Sequence, residues 1–191
     1  MIIEKWFPQT IAYTFYDGDK SYIKKLQDKC FEIQSKVEKG GEFWQSDVYN
    51  TINKYDLNTD NDFKELNKWV DERVKDYTNE LQFLFGDLSK EQSWFNIYKR
   101  GDYQEYHHHA MNMVSAIFIL KAGDENTTVS FDNPHTDMIY ADGPTQVSYK
   151  SEDCKLIIFR SHLKHAVTMH NSDEPRISIA YNYRRIITWV K

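Results

Sequence analysis

After residue 92 the apolar residues of this chain change rhythm, and the change divides the molecule in two. The segments "SWFNIYKR", "YQEYHHH", "VSAIFIL", "TTVSFDN", "QVSYK", "KLIIFRS" and "RISIAYNYR" follow one another, separated by polar or glycine-containing breaks. Apolar residues in them alternate with polar ones or run together briefly, which is the pattern of short strands. Upstream the period is helical. Ile23, Leu26, Cys30, Ile33 and Val37 step by three and four through the stretch from Ser21 to Val37, and Gly40-Gly41 closes it. A second helix carries Phe63, Leu66, Val70, Val74, Tyr77, Leu81 and Leu84 on one face, with Asp62 and Glu65 spaced as a capping box and Gly86 as its stop. Helices followed by a run of strands predict an α+β protein whose sheet part is a sandwich or barrel.

A chain of 191 residues is long enough for one domain with its own core. The division falls inside that domain, a helical part over about 1–90 and a strand core over about 92–188. Aromatic residues at 15% suit the pleated surfaces of sheets. The net charge of -5 argues against non-specific nucleic-acid binding, and no basic cluster offsets it. No apolar run is long enough to cross a bilayer. The start "MIIEKWFPQT" has no apolar signal core, so Cys30 and Cys154 are expected as reduced thiols of a cytoplasmic protein. In "DLNTDND", Asp56, Asn58 and Asp60 alternate as in a calcium loop. Asn61 stands where the sharp turn needs Gly, however, and Asn67 where a bidentate Glu is needed, so the stretch reads as a solvated loop. The connection from Pro134 to Pro144 is long, as functional loops often are.

Strand geometry then sorts the polar residues. Residues two apart share a face, which groups Trp94, Asn96 and Tyr98 on one segment and Glu105, His107 and His109 on the next. Tyr106 and His108 go to the other side. The triple histidine is therefore a His-x-His pair with a bystander, and two imidazoles on one face are close enough to share a metal ion. A third ligand is available in "LIIFRSHLKHAV", where an apolar strand delivers His162 and His165 near its end. Further on, alternation puts Arg176, Ser178, Ala180 and Asn182 on one face, with Ile177, Ile179, Tyr181 and Tyr183 on the other. An unpaired buried guanidinium is very costly. A carboxylate ligand gripped by the fork of Arg176, with the Ser178 hydroxyl alongside, would satisfy both side chains.

The order His-x-(Asp or His), a long gap, His, then Arg-x-Ser resembles the iron- and 2-oxoglutarate-dependent oxygenases. Asn96-x-Tyr98 also stands where the alkylation-repair branch of that family has an Asn-x-Tyr pair. The chain is similar in particular to short 2-oxoglutarate–Fe(II) oxygenases of phages and bacteria, which carry "H-x-H-P-x-S-x-x-S-G-x-x-Y", "F-x-D-P", "H-x-V" and "R-I-S-I-x-F-N". Here the matching stretches are "HHHAMNMVSAIFIL", "FDNP", "HAV" and "RISIAYN", with departures at Ala110, Asn112, Ala116 and Phe118. The likeness runs from "WFPQT" to Asn182.

The resemblance implies one oxygenase domain, a double-stranded β-helix (jelly-roll) core with two supporting N-terminal helices. It implies Fe(II) held at a catalytic centre by His107, His109 and His165. It further implies 2-oxoglutarate held by Arg176 and Ser178 with Asn96 and Tyr98, and O2 as the oxidant. The activity implied is hydroxylation of an unidentified substrate, peptidyl or a small molecule, coupled to conversion of 2-oxoglutarate to succinate. A phage-encoded member would act in the host cytoplasm. Three neutral ligands would leave the site one charge more positive than two His and a carboxylate. That favours a dianionic co-substrate and gives the iron less electron density. Competing assignments are His135-x-Asp137 as the metal pair, Glu105 as the missing carboxylate, and His162 in place of His165. His108 and His170 read as surface residues. Two other functions stay open, a cupin-like three-histidine metal enzyme that uses no 2-oxoglutarate and a non-catalytic jelly-roll binding protein.

Overall fold

The two helices form where the 3.6-residue period predicts them. α1 (Lys20–Gln34) buries Ile23, Leu26, Cys30 and Ile33. Asp19 caps it, its carboxylate accepting from Ser21 N at 2.8 Å. α2 (Lys64–Glu80) buries Leu66, Val70, Val74 and Tyr77 along one face. The expected Asp62–Glu65 capping box is not made. The chain enters α2 through two 3₁₀ turns, Leu57–Thr59 and Asn61–Phe63, and Asp60 caps the second by accepting from Asp62 N at 2.8 Å. Asp62 instead faces Lys25 and Lys29 of α1, and Glu65 accepts from the Tyr16 hydroxyl at 2.6 Å. The alternating acids of "DLNTDND" thus serve as caps, Asp56 accepting from Asn58 N and from Ser93 N.

The computed structural model describes residues 9–41, 44–81, 87–124, 126–134 and 145–186. Leu84 and Gly86, and the segment from 135 to 144, lie outside them. Among the described residues the strands are β1 (Ile11–Phe15), β2 (Tyr49–Asn50), β3 (Leu88–Lys90), β4 (Trp94–Tyr98), β5 (Gln104–His107), β6 (Val114–Lys121), β7 (Thr128–Asp132), β8 (Gln146–Lys150), β9 (Lys155–Arg160), β10 (His165–Val167) and β11 (Arg176–Arg185). They build two antiparallel sheets. The larger runs β1-β9-β6-β11-β4-β2, with β3 also paired to β11, and the smaller runs β5-β10-β7-β8.

The central strands of the large sheet are buried on both faces, which explains their near-continuous apolar text. Phe118 and Leu120 of β6, Leu156 and Ile158 of β9, and Ile177 and Ile179 of β11 pack in the same core cluster as α1 and α2. On the other face, Ile119, Ile157, Phe159 and Tyr98 meet Val129, Phe131 and Val167 of the small sheet. Two facing antiparallel sheets with helices on the outer face of one make a jelly-roll core with two supporting helices. The helices leave the inner face of β4 and β11 to the site. Cys30 and Cys154 are both free thiols, and among the described residues no helix is long and apolar enough to cross a membrane.

Candidate active site

β5 and β10 are neighbours in the small sheet, and their register sets His107 directly opposite His165. The two ring centroids are 4.3 Å apart, and the His109 ring lies 5.2 Å from His107 and 5.3 Å from His165. One nitrogen from each of the three residues falls within 4.8 Å of the others, and no other such group of His, Cys, Asp or Glu occurs among the described residues. The Nδ1–H of His107 donates to the Glu105 carbonyl at 2.8 Å, and that of His165 to the Leu163 carbonyl at 2.9 Å. With Nδ1 committed, Nε2 carries the free lone pair in both rings.

Strand alternation does not place His109, because β5 ends at His107. His109 stands in the turn beyond, its backbone N–H donating to the Ser161 carbonyl at 2.9 Å. That Ser161 is itself buried, and its hydroxyl joins Ser115 and Asn182 in a buried chain of hydrogen bonds. The expected grouping of Glu105 with His107 is also corrected. Between His165 and Val167 the register shifts, so that β10 advances two residues while β5 advances three, from His107 to Gln104. This bulge turns Gln104, not Glu105, into the cavity beside His107. The Glu105 carboxylate accepts from Gln45 N at 3.3 Å and supplies no third ligand.

His162 is exposed and shares a hydrogen bond with the Gln9 side chain, so it does not replace His165. His108 is exposed as expected, whereas His170 is fully buried rather than on the surface. His135 and Asp137 lie outside the described residues.

Burial holds the three imidazoles neutral. It is the first cause of a lowered pKa at His107, at His109, which falls from an ordinary 6.5 to about 4, and at His165, which lies well below 6.5. Neutral rings keep their lone pairs available at neutral pH. A histidine kept neutral by folding binds fewer protons than its unfolded counterpart, so the folded state loses stability as the pH falls below 6.5. The thermal midpoint of the metal-free protein is therefore expected to drop between pH 6.5 and about 4. His109→Asn should shallow that slope.

The second half of the site lies on β4 and β11. Their register pairs Tyr98 with Arg176 and Asn96 with Ser178, so Asn-x-Tyr and Arg-x-Ser form one four-residue patch. Arg176 is 0% exposed. Its Nε donates to the Ser151 hydroxyl at 2.9 Å, its Nη1 to the Ser178 hydroxyl at 3.1 Å, and its guanidinium carbon sits 4.8 Å from the centroid of the Tyr98 ring. Nη2 has no partner, and no described carboxylate pairs with this cation. Burial lowers its pKa from the usual guanidinium value and raises that of the Tyr98 phenol. Asn96 donates to the Ser178 hydroxyl at 3.5 Å, and its own Oδ1 is unpartnered. Asn96, Tyr98 and Ser178 line the same cavity of about 460 Å³ as the three imidazoles.

Residues 92–182 match the family model described as "Putative 2OG-Fe(II) oxygenase". Over that span the strand-rich core of this chain is similar to the 2-oxoglutarate–Fe(II) oxygenases. Among curated proteins no sequence matches. Among solved structures, the chain is similar to a Pseudomonas putida prolyl-4-hydroxylase, with 15% identity, 94% of each chain covered and a TM-score of 0.68. It is similar also to HygX from Streptomyces hygroscopicus with nickel and 2-oxoglutarate bound, at 8% identity, covering 94% of this chain and 84% of that one, with a TM-score of 0.66. A viral collagen prolyl hydroxylase from Paramecium Bursaria Chlorella virus-1, in a 2-oxoglutarate complex, shares 12% identity over 92% of this chain and 96% of its own, with a TM-score of 0.63. At these identities the likeness is one of fold.

The cofactor pair of the matching family, Fe(II) and 2-oxoglutarate, fits what this site presents. Three neutral nitrogens converge without a proton to displace, and a buried cation with an idle N–H lacks an anion. Sequence reasoning did not find Ser151. A serine in the turn after a strand carries no signal of its own, and only the fold brings it to Arg176.

Proposed function

We propose that this protein is a 2-oxoglutarate–Fe(II) oxygenase acting as a hydroxylase, with His107, His109 and His165 holding Fe(II) and with Arg176, Ser178, Asn96 and Tyr98 holding 2-oxoglutarate. We take the whole chain as one oxygenase domain, since α1 and α2 share their core with the sheet that bears Arg176. When bound, the pair supplies oxidative decarboxylation of 2-oxoglutarate to succinate, coupled to insertion of oxygen into a C–H bond. The observation that carries this reading is the buried Arg176, unpaired at Nη2, in a patch whose other members share one cavity with three neutral imidazoles.

The chain's own residues do the rest. Arg176 offers charge-assisted hydrogen bonds to a carboxylate, in a setting where water competes little. Ser178 already accepts from Arg176, so its own hydroxyl proton is free to donate to the same carboxylate. Phe131 stacks against His165 at 5.7 Å and Phe159 meets it edge-on at 4.6 Å, and these rings exclude water from that side of the metal site. Trp94 lies 6.4 Å from the His109 ring on the cavity wall and shields the opposite side. The substrate, peptidyl or small, enters the remaining open part of the cavity beside Asn112 and Asn182.

Anaerobic addition of Fe(II) and then 2-oxoglutarate should produce the weak visible charge-transfer band of a chelated 2-oxo acid. Its absence in the iron-loaded protein would defeat the proposal. The three-histidine donor set favours one other reading, a cupin-like enzyme that needs no 2-oxo acid. Iron binding with no spectral response to 2-oxoglutarate would select it. Arg176 argues against that reading, because such a site has no distal carboxylate for a buried cation to meet.

A further inference from the structure

Arg176 is held by more than its neighbours in the patch. Ser151, itself fully buried, accepts from Nε at 2.9 Å. Its backbone N–H donates to the Thr127 carbonyl at 2.8 Å. The Thr127 side chain meets His170 Nδ1 at 2.8 Å, and His170 Nε2–H donates to the Glu174 carbonyl at 2.7 Å. Glu174 lies two residues before Arg176, so the bonds close a ring from Arg176 back to the segment that leads into its strand. Because Nε2 must donate to a carbonyl, Nδ1 is the ring nitrogen left to pair with the Thr127 hydroxyl. Thr127, Ser151, His170 and Arg176 are each 0% exposed. The backbone of Glu174 and Pro175 is wedged against Gly123, which has φ +66°, and a Cβ there would come within 2.6 Å of the Glu174 carbonyl. The metal and co-substrate assignments use neither Ser151 nor His170.

The ring has a chemical consequence. A guanidinium has five N–H groups, and Nε carries one of them. Ser151 consumes that one, which closes the Nε edge of the fork to any ligand. Ser178 takes one from Nη1, Nη2 has no partner, and these two nitrogens form the edge that Ser151 leaves unclosed.

We propose that Ser151, braced by the Thr127–His170–Glu174 ring, is the positioning residue of Arg176 and makes it grip the distal carboxylate of 2-oxoglutarate end-on, through Nη1 and Nη2. The proposal rests on the oxygenase reading above. Without Ser151 the guanidinium regains freedom about its stem and keeps an unsatisfied buried N–H, so carboxylate affinity falls.

The test is calorimetric titration of the Fe(II)-loaded protein, without oxygen, using 2-oxoglutarate and oxalate in turn. Oxalate chelates a metal but has no distal carboxylate to place against Arg176. Ser151→Ala should raise the Kd for 2-oxoglutarate about tenfold while leaving that for oxalate within about twofold. Thr127→Val, which keeps the shape and removes the hydroxyl, should show the same selective loss at a few-fold, and Thr127→Ser should restore wild-type binding. The Thr127 pair carries the test if Ser151→Ala fails to fold. An unchanged 2-oxoglutarate Kd in these variants, or an equal loss for oxalate, overturns the positioning role and leaves the oxygenase reading intact. A wild-type protein that binds oxalate but not 2-oxoglutarate overturns both.

Discussion

Replacing His165 by alanine is expected to lower affinity for Fe(II) by more than about 100-fold and to abolish turnover. Altering a residue that merely orients a metal ligand commonly costs 10–100-fold, and removal of a direct ligand should exceed that. His165 is the most enclosed of the three imidazoles, 1% exposed and set between Phe131 and Phe159. Its Nδ1 bond to the Leu163 carbonyl leaves the ring only one nitrogen for a metal. Metal content after dialysis, measured beside His162→Ala and His108→Ala, checks the expectation. Those two side chains are exposed, and both variants should keep their iron. Retention of iron by His165→Ala would remove the three-histidine assignment.

Arg176→Met should separate stability from function. The side chain is fully buried, its pKa is depressed by desolvation, and no described carboxylate compensates its charge. Keeping a charge buried without an opposite charge is costly, and an apolar side chain of similar volume removes that cost. The thermal midpoint without ligands should therefore hold or rise. Affinity for 2-oxoglutarate should meanwhile fall by about 100-fold or more, since truncating one partner of a buried charge pair typically costs about 2–5 kcal/mol. Denaturation curves and co-substrate titrations on the same sample give both numbers. A variant that is strongly destabilised would mean that Arg176 is a structural cation. A variant that still binds 2-oxoglutarate would take the residue out of the site.

The sequence made some of this architecture legible and hid the rest for identifiable reasons. Periodicity located both helices, because Ile23, Leu26, Cys30 and Ile33 are buried at the spacing a helix imposes. Alternation on β4 and β11 grouped Asn96 with Tyr98 and Arg176 with Ser178, since a regular strand leaves no other choice. Alternation misled on β5, where a bulge changes the count and exchanges Glu105 for Gln104. A bulge is a property of pairing with β10, and nothing in "YQEYHHH" announces it. His109 reaches its neighbours from a turn anchored by Ser161, a residue distant in the chain. His170 looked like a surface residue because its partners, Thr127 and Glu174, are set by tertiary packing. α2 has no side-chain cap of its own because the chain enters it through two 3₁₀ turns, and Asp60 caps the second of these.

The pairing of His107 with His165 has a mechanical side. Among the described residues β5 is an edge strand of the small sheet, four residues long and paired with β10. Few backbone bonds hold it, and the bulge interrupts them. An ion bound between the two strands would be a transverse cross-link at a short, bulged seam of the small sheet, and the turn bearing His109 would be fastened by the same knot. Iron loading would in this way decide whether the mouth of the barrel is laced or slack, with the metal acting as a fastener of the fold as well as a reagent.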